Sequence, residues 1–171
     1  LLLSSDASLG DYYLHTELGN HSFGAGFRVA EYRKPEFVVQ VALDKPEYIQ
    51  GETISALASA SYYFGGPVAE AAVEWRLMSQ EYYFDWAGKG HYSFQDADYS
   101  ARGYRSAQGR VLTEGRGTTD AGGSFRFSLP ADIQDQVNSQ IFTVEVSVSD
   151  ASHQQVSSRS STIVHKGLFY I

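Results

Sequence analysis

Phe142-Thr143-Val144-Glu145-Val146-Ser147-Val148 alternates apolar and polar residues without a break. A β-strand points successive side chains to opposite faces. This stretch therefore sets Phe142, Val144, Val146 and Val148 on a dry face and Thr143, Glu145 and Ser147 on a wet one. The same period of two recurs along the chain. Phe37 to Leu43 aligns Phe37, Val39, Val41 and Leu43, and Ile54 to Ala60 aligns Ile54, Ala56, Ala58 and Ala60. Val73 to Leu77 and Phe125 to Leu129 alternate in the same way. Turn-forming clusters separate these runs: Asp44-Lys45-Pro46, Gln50-Gly51-Glu52, Gly65-Gly66-Pro67 and Asp120-Ala121-Gly122-Gly123. No stretch of ten or more residues carries a helical period. Short strands at this spacing predict an all-β, antiparallel sandwich.

The length of 171 residues is enough for one good-sized core, or one domain with pieces of its neighbours. Aromatic residues make up 14% of the chain, chiefly 12 Tyr and 10 Phe, which suits half-buried pleated surfaces. The apolar runs are too short to span a bilayer. The formal charge of −7 disfavours nucleic acid as a partner and serves solubility. With no cysteine, disulfides, thiolate zinc sites and cysteine nucleophiles are excluded together. Leu1-Leu2-Leu3-Ser4-Ser5 has neither a start Met nor a basic n-region. It is expected to be part of a longer chain rather than a signal peptide.

A repeat runs through the sequence. Leu1–Asp6 resembles Phe127–Asp132, Tyr12–Thr16 resembles Phe142–Val146, and Phe27–Ala30 resembles Thr162–His165. The offset runs from 126 residues (Leu3 against Leu129) to 135 (Val29 against Val164), the length of one sandwich domain. The expected organisation is the closing strands of one domain in 1–33, a complete domain in 34–166, and the start of another in 167–171. Glu31-Tyr32-Arg33-Lys34-Pro35-Glu36-Phe37 is then the joint. Pro35 lacks a donor N–H and holds Lys34 extended, ending one ladder and aiming the next strand. The competing reading is a single strand with a bulge.

Few groups could carry chemistry. Glu81, Asp85, Asp96 and Asp98 supply the hard oxygens that calcium favours, but not at an EF-hand spacing, and they read equally as surface acids on a long hairpin. Segment 79–109 is dense in aromatics: Tyr82, Tyr83, Phe84, Trp86, Tyr92, Phe94, Tyr99 and Tyr104. They could form a sugar- or protein-binding platform, or tie a long loop onto one end of the sandwich. Asp120-x-Gly122-Gly123 reads as a hairpin turn. His15, His21, His91, His153 and His165 lack ligand spacing, and neither a G-x-S-x-G elbow nor a phosphate loop occurs. Asn20-His21-Ser22 fits a glycosylation acceptor, or simply a turn. No pair of groups has spacing suited to acid–base or nucleophilic work, so no catalytic, cofactor-binding or metal residue is assigned and the chain is read as a non-enzyme.

Phe27-x-Val29-x-Glu31-Tyr32-Arg33-Lys34-Pro35-Glu36-Phe37, followed by Tyr62-Tyr63-Phe64-Gly65-Gly66-Pro67-Val68, resembles the alpha-2-macroglobulin family. Its members join successive domains through an E-Y-x-x-P-x-F segment and carry a Y-x-x-G-x-P-V corner in the next domain. The wording is most similar to the bacterial branch, and Val164–Tyr170 resembles the lead into a further domain. The resemblance implies seven-stranded macroglobulin-like sandwiches within a broad-spectrum endopeptidase inhibitor, a trap that cages the protease cleaving its bait region. The register is similar to the end of the second and all of the third such domain. It implies a periplasmic or cell-envelope parent, sometimes a lipoprotein, with neighbouring macroglobulin-like domains and trapped proteases as partners. The acidic charge and the short apolar runs add the expectation of no nucleic acid partner and no membrane contact by this section. The C-x-E-Q thioester motif and a lipobox both need the cysteine that is lacking here, and no bait-like segment stands out. This section is therefore expected to be scaffold. The alternative is a cell-envelope binding or adhesion module that uses residues 79–109.

Overall fold

The computed structural model describes residues 8, 10–29, 35–84, 86, 88–90 and 109–169. Residues 31–34 of the joint, the first repeat segment and most of 79–109 lie outside the described residues. The chain divides into two compact units, Leu1–Lys34 and Pro35–Ile171.

The first unit is a hairpin of β1 (Gly10–Leu18) and β2 (His21–Val29), turning at Gly19, whose φ is +60°. Its register sets Tyr12 opposite Phe27, Leu14 opposite Ala25, Thr16 opposite Phe23 and Leu18 opposite His21. Because side chains alternate, these residues share one face, where the Tyr12 and Phe27 rings stack at 5.5 Å. Asp11, Tyr13, His15, Glu17 and Arg28 occupy the other face. There the Tyr13 ring lies over Gly24, in space that a Cβ would need.

The second unit contains β3 (Phe37–Leu43), β4 (Glu47–Ile49), β5 (Thr53–Tyr62), β6 (Ala72–Glu81), β7 (Arg110–Thr118), β8 (Ser124–Pro130), β9 (Gln140–Ser149) and β10 (Gln155–His165). They form a five-stranded sheet, β4-β10-β9-β6-β7, and a three-stranded sheet, β3-β5-β8. The core is built from the alternating faces that the sequence lays out. Phe37 and Val39 on β3, Ile54, Ala56, Ala58 and Ala60 on β5, Val73 and Leu77 on β6, Leu129 on β8, and Phe142, Val144, Val146 and Val148 on β9 are all buried.

Two expectations change. Among the described residues this unit has seven strands of seven residues or more, and β4 makes an eighth. β4 pairs in parallel with β10, so the sandwich is not wholly antiparallel. A three-residue strand is too short to display a period, and Glu47-Tyr48-Ile49 was hidden among turn residues. The Asp120 turn also does not close a hairpin, because β7 and β8 belong to different sheets. Its local bonds are those of a tight turn: Asp120 Oδ1 accepts from the amides of Gly122 (2.8 Å) and Ser124 (2.9 Å). After the turn β8 pairs with β5 instead of β7.

Beside that turn, aromatic rings cover glycine backbone. Trp75 stacks on Phe127 at 4.9 Å, and Phe127 on Phe125 at 5.4 Å. Trp75 occupies the space a Cβ would need at Gly115, and Phe125 does the same at Gly117. Gly117→Val is expected to lower stability by roughly 1–3 kcal/mol, the usual cost of overpacking, because a partly buried ring must leave its place. A denaturant titration followed by tryptophan fluorescence should show a lower midpoint at unchanged slope.

Candidate functional site

The outer face of the five-stranded sheet carries a ladder of alternating charge. Cross-strand register puts Glu114, Arg76, Glu145 and Arg159 in one row across β7, β6, β9 and β10. Glu145 is only 4% exposed although it points away from the core, because the solvent-exposed Arg76 and Arg159 side chains close over it. Arg76 pairs with its Oε1 and Arg159 with its Oε2. Burial pushes this carboxyl up, but the bonds from Arg159 and Arg76 outweigh burial and hold it below the usual range. In the neighbouring row Arg116 meets Glu74 at 3.1 Å, and the Ser147 and Ser157 hydroxyls bond at 2.7 Å. A face that satisfies its own charges and hydroxyls offers a partner little to gain.

The two ends of β3 differ from that face. At the start, Tyr63 N–H donates to the Glu36 carbonyl (2.9 Å) and Glu36 N–H donates to Gln154 Oε1 (2.9 Å), which seats Pro35-Glu36 against the sandwich. Gly65 and Gly66, both at φ above +90°, reverse the chain so that the Tyr62 N–H reaches the Gly66 carbonyl at 3.0 Å and Val68 is buried. The Tyr62 ring meets Phe37 edge-on and stacks on Phe64. Tyr63 and Phe64 are left 66% and 80% exposed.

At the far end, Tyr48 donates its hydroxyl to Asp44 Oδ1 (2.6 Å) and accepts from Lys45 N–H (3.1 Å). Ser55 N–H also donates to Asp44 Oδ1 (2.7 Å), and Lys45 Nζ pairs with Glu52 at 2.7 Å. The Tyr48 hydroxyl, then the Ser55 amide, holds the Asp44 carboxyl low. Burial, aided by Asp44, pushes the Tyr48 phenol up to about 12. Sequence reading took Asp44-Lys45-Pro46 and Gln50-Gly51-Glu52 for plain turns and missed this network. The available signal was Tyr48, a large aromatic between two turn clusters. A phenol whose folded value is raised contributes stability that is complete below pH about 10 and is lost as pH climbs through 12. Tyr48→Phe is expected to cost about 1–2 kcal/mol at neutral pH through the lost hydroxyl, and to flatten its share of the alkaline loss. Urea titrations at pH 7 and pH 11 measure both effects.

A cleft of about 560 Å³ opens beside this network, lined by Lys45, Glu47, Tyr82, Phe84, His165 and Leu168 among others. Tyr82 meets His165 edge-on at 5.9 Å, and His165 Nε2 lies 3.3 Å from Glu47. Of the sequence candidates in 79–109, Glu81 accepts from Tyr83, and Tyr83 and Trp86 are about half exposed. Asp85, Tyr92, Phe94, Asp96, Asp98, Tyr99 and Tyr104 lie outside the described residues, as does His91. His15 sits on the polar face of β1, and His21 opens β2 just after Asn20 in the turn. His153 sits in the β9–β10 turn at φ +63°. Among the described residues, no three His, Asp or Glu side chains stand together as a metal site would require.

No protein-family model matches the chain. It is 28% identical over 163 residues, 95% of its length, to an alpha-2-macroglobulin of Thermotoga maritima. It is 42% identical over 79 residues, 46% of its length, to an alpha-2-macroglobulin of Ralstonia nicotianae. Its fold matches native Escherichia coli alpha-2-macroglobulin, seen by cryo-EM, at a TM-score of 0.70 over 96% of this chain, with 14% identity. The chain spans 9% of the Thermotoga relative, 5% of the Ralstonia relative and 10% of the Escherichia coli chain. The chain is thus an all-β sandwich unit accompanied by a two-stranded hairpin unit, with a fold similar to that of a bacterial alpha-2-macroglobulin section. The proteins it resembles are bacterial alpha-2-macroglobulins, and the match covers a short section of each.

Proposed function

We propose that the chain is a structural section of a bacterial alpha-2-macroglobulin-like protease trap. On this reading 34–166 form one complete macroglobulin-like sandwich. Residues 1–33 hold the closing strands of the preceding sandwich, and 167–171 begin the next. The observation that carries the reading is the match to the Thermotoga protein through 95% of the chain. Three features favour a scaffold role. With no cysteine, these residues cannot hold a C-x-E-Q thioester. The largest sheet face is self-neutralised, and the exposed aromatics Tyr63 and Phe64 cluster where Pro35 leads into the sandwich. The section's own partners are neighbouring macroglobulin-like domains, and caging endopeptidases is the work of the whole parent. The parent belongs in the periplasm, the cell envelope or the extracellular space.

Titrating a serine endopeptidase with the purified chain tests the scaffold role. Residual activity on a protein substrate is expected to stay unchanged at tenfold excess of the chain. Stoichiometric loss of activity would place inhibition within these residues and overturn the reading.

A further inference from the structure

The cleft beside the Asp44–Tyr48 network is walled from separate parts of the chain. β4 brings Glu47 and Ile49, the end of β6 leads to Tyr82 and Phe84, and the end of β10 brings His165 and then Leu168. Several of its polar groups are spent inside the fold. Glu52 Oε1 accepts from Lys45 Nζ at 2.7 Å and Oε2 accepts from Ile49 N–H at 2.8 Å, while the Tyr48 hydroxyl serves Asp44 and the Lys45 amide. Lys45 Nζ also stands 5.5 Å from the centre of the Tyr48 ring, so one wall already holds a cation between a carboxylate and an aromatic ring. Glu47 and Tyr82 make a second such set about His165. The imidazole lies 3.3 Å from Glu47 Oε2 and edge-on to the Tyr82 ring at 5.9 Å. The Glu47 side chain is 60% exposed, and among the described residues neither a lysine nor an arginine pairs with it or lies over Tyr82.

We propose that this cleft binds an extended basic peptide segment. Its arginine places the guanidinium between Glu47 and Tyr82, donating to the carboxylate and lying against the ring, and the apolar side chain next to it rests on Ile49, Phe84 and Leu168. Charge selects against an anion. With Lys45 and Glu52 cancelling, Glu47 leaves the cleft negative, within a chain of formal charge −7. The commitment of Glu52 and Tyr48 to the fold selects against a saccharide, whose hydroxyls need several polar partners at once. Arginine fits better than lysine, because a planar guanidinium meets a carboxylate and an aromatic face together. The volume of about 560 Å³ lies in the range of small-ligand sites and suits a short segment. Every residue involved belongs to the second unit, so the site stands whether or not the chain is a section of a longer trap.

Amide chemical shifts of the chain titrated with N-acetyl-leucyl-arginine amide test the site. Shifts are expected to concentrate on Glu47, Ile49, Tyr82, His165 and Leu168, with a dissociation constant of about 1 mM or below. The citrulline counterpart, similar in shape but uncharged, is expected to bind about fivefold more weakly, and so is the arginine peptide on Glu47→Gln. Tyr82→Leu is expected to weaken binding about threefold, whereas Glu114→Gln, on the outer face of the five-stranded sheet, leaves it unchanged. Glu47 is exposed, so Glu47→Gln keeps the fold, and unchanged shifts outside the cleft verify this. Equal affinity for the citrulline peptide, or shifts centred away from the cleft, would overturn the proposal. Agmatine binding as tightly as the peptide would make this a pocket for a free cation, and N-acetylglucosamine binding more tightly would make it a saccharide site; either result overturns the peptide. So would an unchanged spectrum at about 10 mM peptide.

Discussion

Gly123→Ala is expected to destabilise the sandwich by about 3 kcal/mol or more, well beyond an ordinary surface substitution. Gly123 sits at φ +72°, a region that costs any side chain energy, and its backbone is committed on both sides. Its N–H donates to the Asp120 carbonyl at 2.9 Å, and its carbonyl accepts from Ala60 N–H at 2.8 Å. A Cβ there would collide with the Ala60 carbonyl oxygen and lie 3.0 Å from Pro67 Cβ and 3.1 Å from Val68 N. Two of these three neighbours are backbone, so nothing can swing aside. The Asp120 turn would have to move away from β5, taking the start of β8 with it. Gly122→Ala is the matched control. Its nearest obstacle is Asp120 Oδ1 at 3.2 Å, and an effect below about 1 kcal/mol is expected. Urea midpoints of the two variants make the comparison.

Replacing both arginines over Glu145, as Arg76→Met with Arg159→Met, is expected to cost about 3–5 kcal/mol near neutral pH. The double change leaves a buried carboxylate with no partner. Each single change should cost much less, because one arginine remains, so the pair of substitutions should be strongly non-additive. The pH dependence should reverse in sign. In the unsubstituted chain the Glu145 carboxyl is held low. Its stabilisation is therefore present above the unfolded value of about 4.3 and is lost as pH falls through the folded one. Without the arginines burial dominates, the carboxyl rises, and the double variant should gain stability as pH falls from 7 towards 4. Glu145→Gln in the same background should abolish that gain. Denaturant titrations between pH 4 and pH 8 measure all three effects.

The sandwich was legible wherever one face is dry. The runs at 37–43, 54–60, 73–77, 125–129 and 142–148 announce themselves by alternation and fall within β3, β5, β6, β8 and β9. β7 was harder to read, because Gly115 and Gly117 break its pattern where rings borrowed from β6 and β8 supply the missing bulk. β10 reads as a serine-rich stretch until Ile163 and Val164, since its Ser157, Arg159 and Ser161 belong to the wet face. Glu145 looked like an ordinary outward acid, because a strand's period gives direction and cannot show that two arginines close over it. The Asp44–Tyr48 network depends on Ser55, which the turn carries 11 residues on from Asp44. Local turn chemistry at Asp120 was read correctly, but which sheet the next strand joins is decided by Ala60 on β5, far away in sequence.

The most direct measurement for the account as a whole is to sequence the reading frame that contains these residues. The account expects a very long chain with further copies of the E-Y-x-x-P joint at sandwich-length intervals and a sandwich immediately upstream of the hairpin. A short chain that ends near Ile171 with no second joint would contradict it, and would return residues 79–109 to the position of leading functional surface.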